Sequence, residues 1–574
     1  MSSPPSAGYK WTALSVCTLG MLMATIDGSI TLISLPDIFR GIGIDPLEPG
    51  NSFYLLWMIL GFLVVTSVLV VSLGRIGDIY GRVRIYNLGF AVFTFFSLML
   101  SVTWMHGHAA GIYLIVMRLF QAVGAAMLMA NSAAILTDAF PVNQRGMALG
   151  INQAVAFSGA FIGLVLGGLL APINWRLIFL VNLPIGIFAT VWGYLKLREL
   201  SERHAAKVDW AGNITFAVGL VLIMVGLTYG IEPHGSSNMG WTNPTVLAEL
   251  AIGTAFLVAF CVIETRVKEP MFRLQLFAIR AFSAGVFASF LAALARGGLM
   301  FTMIIWLQGI WLPLHGVDFA NTPLAAGLAM LPLTFGMLIS GPASGVLSDR
   351  FGARPFATGG MIGTAIAFGL LQLLPMDFAY PTFAFVLFVT GLMMASFGSP
   401  NRAAVMNSLP ARDRGAGSGM NSTFQNSAQV LSIGLFFTLI IVGFSSALPA
   451  SLQTGLTSHG VPPGTAHAVS TLPPVSTLFA AFLGYNPIQH LLGPHVLASL
   501  TASQQAALTS RTLFPTLISG PFRSGLHLAL DFAIVMSLAA AICSWVRGPK
   551  VSGEASVALD AAGSVPTDVA AVPT

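Results

Sequence analysis

The sequence predicts an all-α integral membrane protein with fourteen transmembrane helices. Of its 574 residues, 55% are hydrophobic and only 8% are charged, and the mean hydropathy is +0.82. Soluble domains are far less apolar than this. Uninterrupted apolar stretches of about 20 residues, the length that a helix needs to cross a bilayer, recur along almost the whole chain. The sequence lacks the alternating segments of about 10 residues that are typical of membrane β-barrels.

Fourteen apolar stretches follow one another in chain order, and each is long enough to span. The first is longer than a signal-peptide core and has no convincing cleavage site, so we expect it to be retained. A further uncharged stretch, 473–493, is interrupted by Pro and Gly, and we expect 449–524 to be one outer loop with a surface-lying piece. The predicted spans are 11–35, 54–73, 85–103, 111–136, 147–171, 178–197, 211–231, 245–263, 281–312, 324–347, 355–374, 381–400, 420–448 and 526–546.

The distribution of basic residues indicates the orientation. With the N-terminus inside, 20 of the 26 Lys and Arg residues fall in cytoplasmic segments, four fall outside, and Arg118 and Arg296 fall within spans. This bias predicts that both termini are cytoplasmic, which requires an even number of spans. The net charge of +5 comes from loops that face anionic lipid, so it does not indicate a nucleic-acid partner.

A charged turn occurs twice. "SLGRIGDIYGRVR" begins at residue 72 and "SGVLSDRFGARP" at residue 344, each between the second and third helix of a six-helix set. Such an internal repeat indicates two similar bundles. The two aspartates are 271 residues apart, whereas the first set ends near residue 200, so spans seven and eight are an insertion. The matching residues are Gly74, Asp78, Gly81 and Arg82 in the first copy and Gly345, Asp349, Gly352 and Arg354 in the second.

The predicted organisation is therefore six plus two plus six helices. An N-terminal six-helix bundle occupies 1–200, and a two-helix linker insertion occupies 201–269. A C-terminal six-helix bundle occupies 270–548 and includes the outer loop 449–524. The segment 549–574 is rich in Ala, Ser, Gly, Val and Pro without a pattern, and we expect a disordered cytoplasmic tail.

These motifs resemble the fourteen-helix drug:proton antiporter branch of the major facilitator superfamily. The turn after its second helix usually reads Gly-x-Leu-Ala-Asp-Arg-x-Gly-Arg-Lys, which the second copy here, with Arg350, matches more closely than the first. "RLFQAVGAA" is similar to the helix-four motif, and "ATIDGSITLISLP" and "NWRLIFLVNLPIG" resemble other signatures of the branch. "GAFIGLVLGG" resembles the helix-five antiporter motif, with Leu164 in place of a Pro. Its matching residues are Gly159, Gly163, Gly167 and Gly168.

The resemblance implies a role for each motif. The charged turns are expected to form a conformational latch that docks onto the other bundle by charge-assisted hydrogen bonds. The alternative is a positively charged cytoplasmic loop without a switching role. The helix-five glycines lie on nearly one face and permit close helix contact, which in antiporters is thought to restrict leak.

Ionisable residues within spans are costly and indicate function. In the resembled fold the first and fourth helices pack side by side, so the resemblance implies that Asp27 and Arg118 can meet. Burial then favours a neutral Asp27, whereas Arg118 favours the carboxylate, and substrate can tip this balance. Asp27 is thus the predicted proton-carrying or cation-sensing acid, with a permanent structural ion pair as the alternative. Gln121 is a neutral polar candidate. Arg296 has three readings: contact with Asp27, contact with an anionic part of the substrate, or a structural role. Asp531 is explained by interfacial solvation or by binding a cation from outside.

The predicted function is a proton-coupled exporter of lipophilic or amphiphilic compounds in a bacterial inner membrane. The alternatives are a lipid exporter or metabolite importer of the same fold, and a non-transporting sensor. The sequence contains no Walker turn, catalytic triad or metal-ligand spacing. We therefore expect no enzymatic activity and no cofactor or metal, with protons as the coupling ion. The expected partners are a small lipophilic substrate and membrane lipids, and one chain is expected to function as a monomer.

Overall fold

The computed structural model is helical, with no strand among the residues that it describes. Fourteen of its helices are long and apolar enough to cross a membrane, which confirms the predicted number. A helix satisfies its backbone hydrogen bonds internally, and this is the reason that apolar segments of this length fold as helices in lipid. The described residues are 8–45, 51–141, 144–200, 209–231, 239–267, 270, 272–318, 321–409, 414–471, 474–475, 477–478 and 487–548.

The first six spanning helices form one bundle. Within it α1 packs along α5, and α4 packs against both α2 and α3. The helices are α1 (Tyr9–Ile42), α2 (Ser52–Tyr80), α3 (Arg82–Ser101), α4 (Gly107–Ala139), α5 (Arg145–Leu170) and α6 (Leu177–Lys196).

A helix pair follows, and then a second bundle. The pair packs on itself, whereas in the second bundle α12 contacts α10 and α11, and α14 contacts α9, α11 and α13. The pair is α7 (Trp210–Ile231) and α8 (Pro244–Arg266), and the second bundle is α9 (Arg280–Leu314), α10 (segments Thr322–Ala329 and Leu331–Phe351), α11 (Ala353–Leu373), α12 (Tyr380–Asn407), α13 (Arg414–Ser458) and α14 (Leu513–Val546).

The two bundles meet along two seams. Helix α5 packs against α10 at one seam, and α2 packs against α13 at the other. Helix α7 contacts both α2 and α13, so the inserted pair lies beside the second seam. The interface between the bundles is thus bounded by α5 and α10 on one side and by α2 and α13 on the other.

The two charged turns have the same backbone geometry. Gly81 has φ +112° and Gly352 has φ +88°, a region that residues with a Cβ avoid. Each glycine donates its N–H to the carbonyl four residues earlier at 2.8 Å, from Gly81 to Gly77 and from Gly352 to Ser348. The repeat found in the sequence is therefore a repeat of structure. In each copy one glycine ends a helix, and the next helix begins directly after it.

Three helices continue through prolines beyond the predicted spans. The twelfth span was predicted to end at Pro400, but α12 continues to Asn407. Pro449 and Pro521, near the edges of the predicted outer loop 449–524, are helical, so the outer segment between the ends of α13 and α14 is 459–512. Proline removes one helical hydrogen bond and kinks a helix without having to end it.

The outer segment contains short helices. None of its described helices reaches the length of a span. Residues 479–486, which belong to the uncharged stretch of that segment, and the tail 549–574 lie outside the described residues. The short helices are Pro463–Ser470, Pro487–Ala498 and Ala502–Leu508.

Candidate functional site

Asp27 lies at the centre of a buried polar cluster in the first bundle. Its carboxylate accepts hydrogen bonds from Arg118 Nη1 at 3.2 Å, from Gln121 Nε2 at 2.9 Å and from Asn182 Nδ2 at 2.9 Å. Arg118 is 2% exposed and the other three residues are inaccessible to solvent. Helices α1, α4 and α6 each contribute to this cluster, which therefore fixes their relative positions.

Arg118 makes further contacts with its surroundings. Its Nε donates to the Met58 carbonyl at 3.1 Å, and its Nη1 also donates to Thr31 Oγ1 at 3.0 Å. The guanidinium lies 4.9 Å from the centroid of the Phe62 ring. A buried ion pair survives only with such additional hydrogen bonds, since each charge has lost its water. The charges of the two side chains are thus compensated within the first bundle.

The structure brings together three of the predicted coupling residues, Asp27, Arg118 and Gln121. Sequence reasoning missed Asn182, although it lies within the signature "NWRLIFLVNLPIG". The available signal was a carboxamide in an otherwise apolar span, because a buried amide requires a partner.

Arg296 and Asp531 lie away from this cluster. Asp531 is exposed on α14 and accepts a hydrogen bond from Gln372 Nε2 at 2.9 Å, close to the outer end of α11. This position fits interfacial solvation. Arg296 makes no contact with Asp27, whose oxygens are occupied by the three donors of the cluster, so that reading of Arg296 is wrong for this conformation.

A second polar group crosses the α5–α10 side of the molecule. Arg402 of α12 donates to Gln153 Oε1 of α5 at 2.6 Å and to Gln425 Oε1 of α13 at 3.4 Å. Arg402, one of the basic residues that the sequence places on the cytoplasmic side, lies within α12, which continues beyond Pro400 to Asn407.

Three of the helix-five glycines pack against α1. A Cβ on Gly159, Gly163 or Gly167 would lie 2.5 to 3.0 Å from a backbone carbonyl oxygen of α1, and these carbonyls are spaced four residues apart, at Leu22, Ile26 and Ile30. No side chain fits at such distances. These glycines therefore hold two helices of the same bundle together.

The fourth glycine faces the other bundle. A Cβ on Gly168 would lie 2.6 Å from the backbone nitrogen of Leu324 and 2.8 Å from its Cβ, at the outer end of α10. Leu164, which replaces the Pro of the resembled motif, packs against Gly327 of the same helix. Helix α5 thus uses one face within its own bundle and another to close the outer end of the seam.

The first charged turn is tied within its own bundle. Arg82 donates to Asp78 at 2.8 Å and to Asp138, at the cytoplasmic end of α4, at 2.7 Å. Both described partners of Arg82 belong to the first bundle. These contacts therefore do not dock the turn onto the second bundle, as was expected. Sequence reasoning missed Asp138, a carboxylate beside a cytoplasmic helix end.

The second charged turn has fewer described contacts than the first. Arg350 is exposed, and the side chain of Asp349 lies outside the described residues. Gly74 and Gly345 would tolerate a Cβ, whose nearest neighbour would lie at 3.8 Å and 3.9 Å respectively. The close approach occurs instead at Gly77, where a Cβ would overlap the Asn131 amide.

The chain is similar to proteins named for transport and export. It is 29% identical over 434 residues to "Riboflavin transporter RibZ" of Clostridioides difficile, covering 74% of this chain and 87% of that protein. It is 26% identical over 420 residues to "Tetracenomycin C resistance and export protein" of Streptomyces glaucescens, covering 72% and 73%.

A solved structure has the same fold. It is an inward-facing bacterial homologue of the human lysosomal transporter Spinster, with a TM-score of 0.54 and 15% identity, covering 96% of this chain and all of that one. The sequence profile described as Major Facilitator Superfamily matches residues 17–433 and 286–552. With its fourteen helices and its repeated turn, the chain belongs to the major facilitator superfamily.

Proposed function

We propose that this transporter exports lipophilic or amphiphilic compounds from a bacterial cell in exchange for protons. The observation that carries the proposal is the sealed Asp27–Arg118 pair, an ionisable group deep in the first bundle with a neutralising partner 3.2 Å away. Relatives named for resistance and export support the outward direction. We place the protein in the inner membrane and expect a single chain to act alone, since it contains both bundles.

The proposed cycle opens the two seams in turn. Rocking of the bundles separates α5 from α10 at the outer side, where Gly168 and Leu324 meet, and then closes that side again. Helix α1 lies against α5 through three glycines, so a movement of α5 also moves Asp27. A change in the distance between Asp27 and Arg118 alters the relative stability of carboxylate and neutral acid, because the attraction between buried charges depends steeply on their separation.

The first charged turn, predicted from the sequence to be part of a latch, also has a proposed role in this cycle. Arg82 holds the cytoplasmic ends of α2, α3 and α4 together through Asp78 and Asp138. This makes the first bundle move as one body. Docking of the charged turns onto the opposite bundle belongs, in this proposal, to the outward-facing state.

The test is proton-gradient-driven transport of fluorescent amphiphiles in proteoliposomes. The native protein is compared with Asp27→Asn and with a matched control on the same helix, Asp37→Asn, whose carboxylate pairs with the partly exposed Arg40. We expect gradient-dependent transport to be lost in Asp27→Asn and kept in Asp37→Asn. Gradient-dependent transport that survives Asp27→Asn would refute the role of Asp27, and Asp531 would be tested next.

A metabolite carrier is the second candidate, favoured by the similarity to a protein named as a riboflavin transporter. The two candidates differ in cargo and direction. Right-side-out and inside-out vesicles, loaded in parallel with riboflavin and with a lipophilic dye, distinguish them. Riboflavin accumulation in right-side-out vesicles, without movement of the dye, would favour the metabolite carrier.

A further inference from the structure

Two arginines within helices of the second bundle, Arg296 and Arg402, have no acidic partner among the described residues. Arg296 lies 16 residues after the first residue of α9, which is about 24 Å along a helix and deep within the span. The described part of the chain gives it neither a hydrogen bond nor an ion pair. The described hydrogen-bond acceptors of Arg402 are two neutral amides, Gln153 and Gln425.

The two arginines flank the same stretch of α13. Gly297, next to Arg296, packs so closely on this helix that a Cβ would lie 2.8 Å from the Gln429 carbonyl oxygen. Gln425, which Arg402 contacts, is one helical turn earlier on α13. Two positively charged side chains thus belong to residues that contact α13 within one turn of each other.

The backbone at Arg296 departs from a regular helix. The Ser432 hydroxyl of α13 donates to the Leu294 carbonyl at 2.5 Å and accepts the N–H of Gly298 at 3.0 Å. It thereby replaces the helical hydrogen bond that Gly298 would make to Leu294. The regular helix is interrupted at Gly297 and Gly298, directly after Arg296. Interrupted helices at mid-membrane depth line binding sites in many transporters.

Neither Asp27 nor Asp531 pairs with these arginines. Asp27 is inaccessible and already accepts three hydrogen bonds, and Asp531 lies near the middle of α14, where it accepts a hydrogen bond from Gln372. Uncompensated charge in the membrane interior is unfavourable, and intramembrane charges are normally paired. Because no carboxylate among the described residues pairs with either arginine, a bound anion would stabilise both.

We propose that the cargo is an amphiphile with an anionic group, such as a carboxylate, sulfonate or phosphate, which binds between Arg296 and Arg402. The Arg402 contact with Gln153 reaches across to α5 of the other bundle, so the bound anion lies where the bundles separate. This inference rests on the proposed function, because it specifies the cargo of the same transporter. A planar guanidinium forms paired hydrogen bonds with such anions.

The test measures binding of three dansyl probes to the purified full-length protein. They share a fluorophore and an alkyl chain and differ only in charge: dansylaminoundecanoic acid, its methyl ester, and an analogue with a quaternary ammonium group. Each is titrated against the native protein, Arg296→Gln, Arg402→Gln and the conservative Arg296→Lys. Arg523→Gln is the matched control, since it removes an exposed outer charge.

We expect the acid to bind at least tenfold more weakly to either Gln variant, which is about 1.4 kcal/mol. Arg296→Lys should lose less, and Arg523→Gln should bind all three probes as the native protein does. Unchanged binding of the ester shows that the variants are folded. The proposal is overturned if the native protein binds the ester and the cation as tightly as the acid, or if the Gln variants bind the acid normally.

Transport of the same probes separates this inference from the proposed function. Arginine-dependent binding of the acid without proton-driven movement would retain the anion site and refute proton-coupled export. Proton-driven movement of the cation, unaffected by the Gln substitutions, would retain export and refute the anion site. Competition identifies the source of the anion: displacement of the acid by phosphatidylglycerol, but not by phosphatidylcholine, indicates a lipid headgroup, and resistance to both indicates a smaller amphiphile.

Discussion

Gly168 should control whether the outer side of the transporter is open. Its hydrogen replaces a side chain at the point where α5 meets α10, and a Cβ there would lie 2.6 Å from the backbone nitrogen of Leu324. Ordinary contact begins near 3.4 Å, so Gly168→Val requires the two helices to separate by about 0.8 Å or more. Because the overlapping atom is backbone, no rotation of a side chain can relieve the clash.

The expected size of the effect follows from this overlap. Overpacking of a close contact costs about 1–3 kcal/mol. The strain exists only while the outer side is closed, so it shifts the equilibrium toward the open state by about 5- to 150-fold. If the closed state predominates in the native protein, the open state should become comparably populated or predominant in Gly168→Val.

Distances between two spin labels, measured by electron paramagnetic resonance, report this shift directly. After replacement of the three native cysteines, labels are placed at Ile173, which is 75% exposed, and at Asn321, which is also exposed. These positions lie just outside the contact between Gly168 and Leu324. We expect Gly168→Val to increase the fraction of long distances. Gly163→Ala, which overlaps α1 within the same bundle, should lower stability and leave the distances unchanged.

Two results would refute this reasoning. One is an unchanged distance distribution in a folded Gly168→Val protein, which would mean that the outer contact does not restrain opening. The other is an equal increase in Gly163→Ala, which would mean that any disturbance of α5 opens the seam.

Three further predictions concern the polar contacts. Arg118→Leu leaves a buried carboxylate unpaired and should lower stability by about 3–5 kcal/mol. Adding Asp27→Asn removes that charge and should recover part of the lost unfolding temperature. A double variant that unfolds at the same temperature as Arg118→Leu would contradict this pairing. Ser432→Ala removes the hydroxyl that bridges the interruption in α9 and should lower the stability by about 1–3 kcal/mol. The control is Ser427→Ala, which changes a buried serine on α13 without a described hydrogen bond and should lower the stability less in the same thermal assay. Equal losses would argue against the bridge. Arg82→Gln breaks two partly exposed ion pairs and should cost about 1 kcal/mol or less, yet slow the initial transport rate severalfold; equal small effects on both would exclude a latch.

The sequence by itself determined the fold class, the number of spans and the repeated turn. Apolar length, the bias of Arg and Lys, and a Gly and Asp pattern that occurs twice are properties of the chain, and each has a direct physical meaning in a bilayer. The contact between Asp27 and Arg118 was implied by the family resemblance, because nothing local to α1 or α4 places the two residues together.

Only the tertiary structure decided which neighbour each helix face meets. Gly163 and Gly168 belong to one motif, yet the first packs against α1 and the second against α10 of the other bundle. Likewise, Arg402 lies within α12 and reaches across to α5. In a soluble protein the apolar stripe of a helix indicates its buried face. Here lipid is as apolar as the protein interior, so that signal is lost, and the facing of each helix follows from close packing and a few polar contacts between segments far apart in the chain.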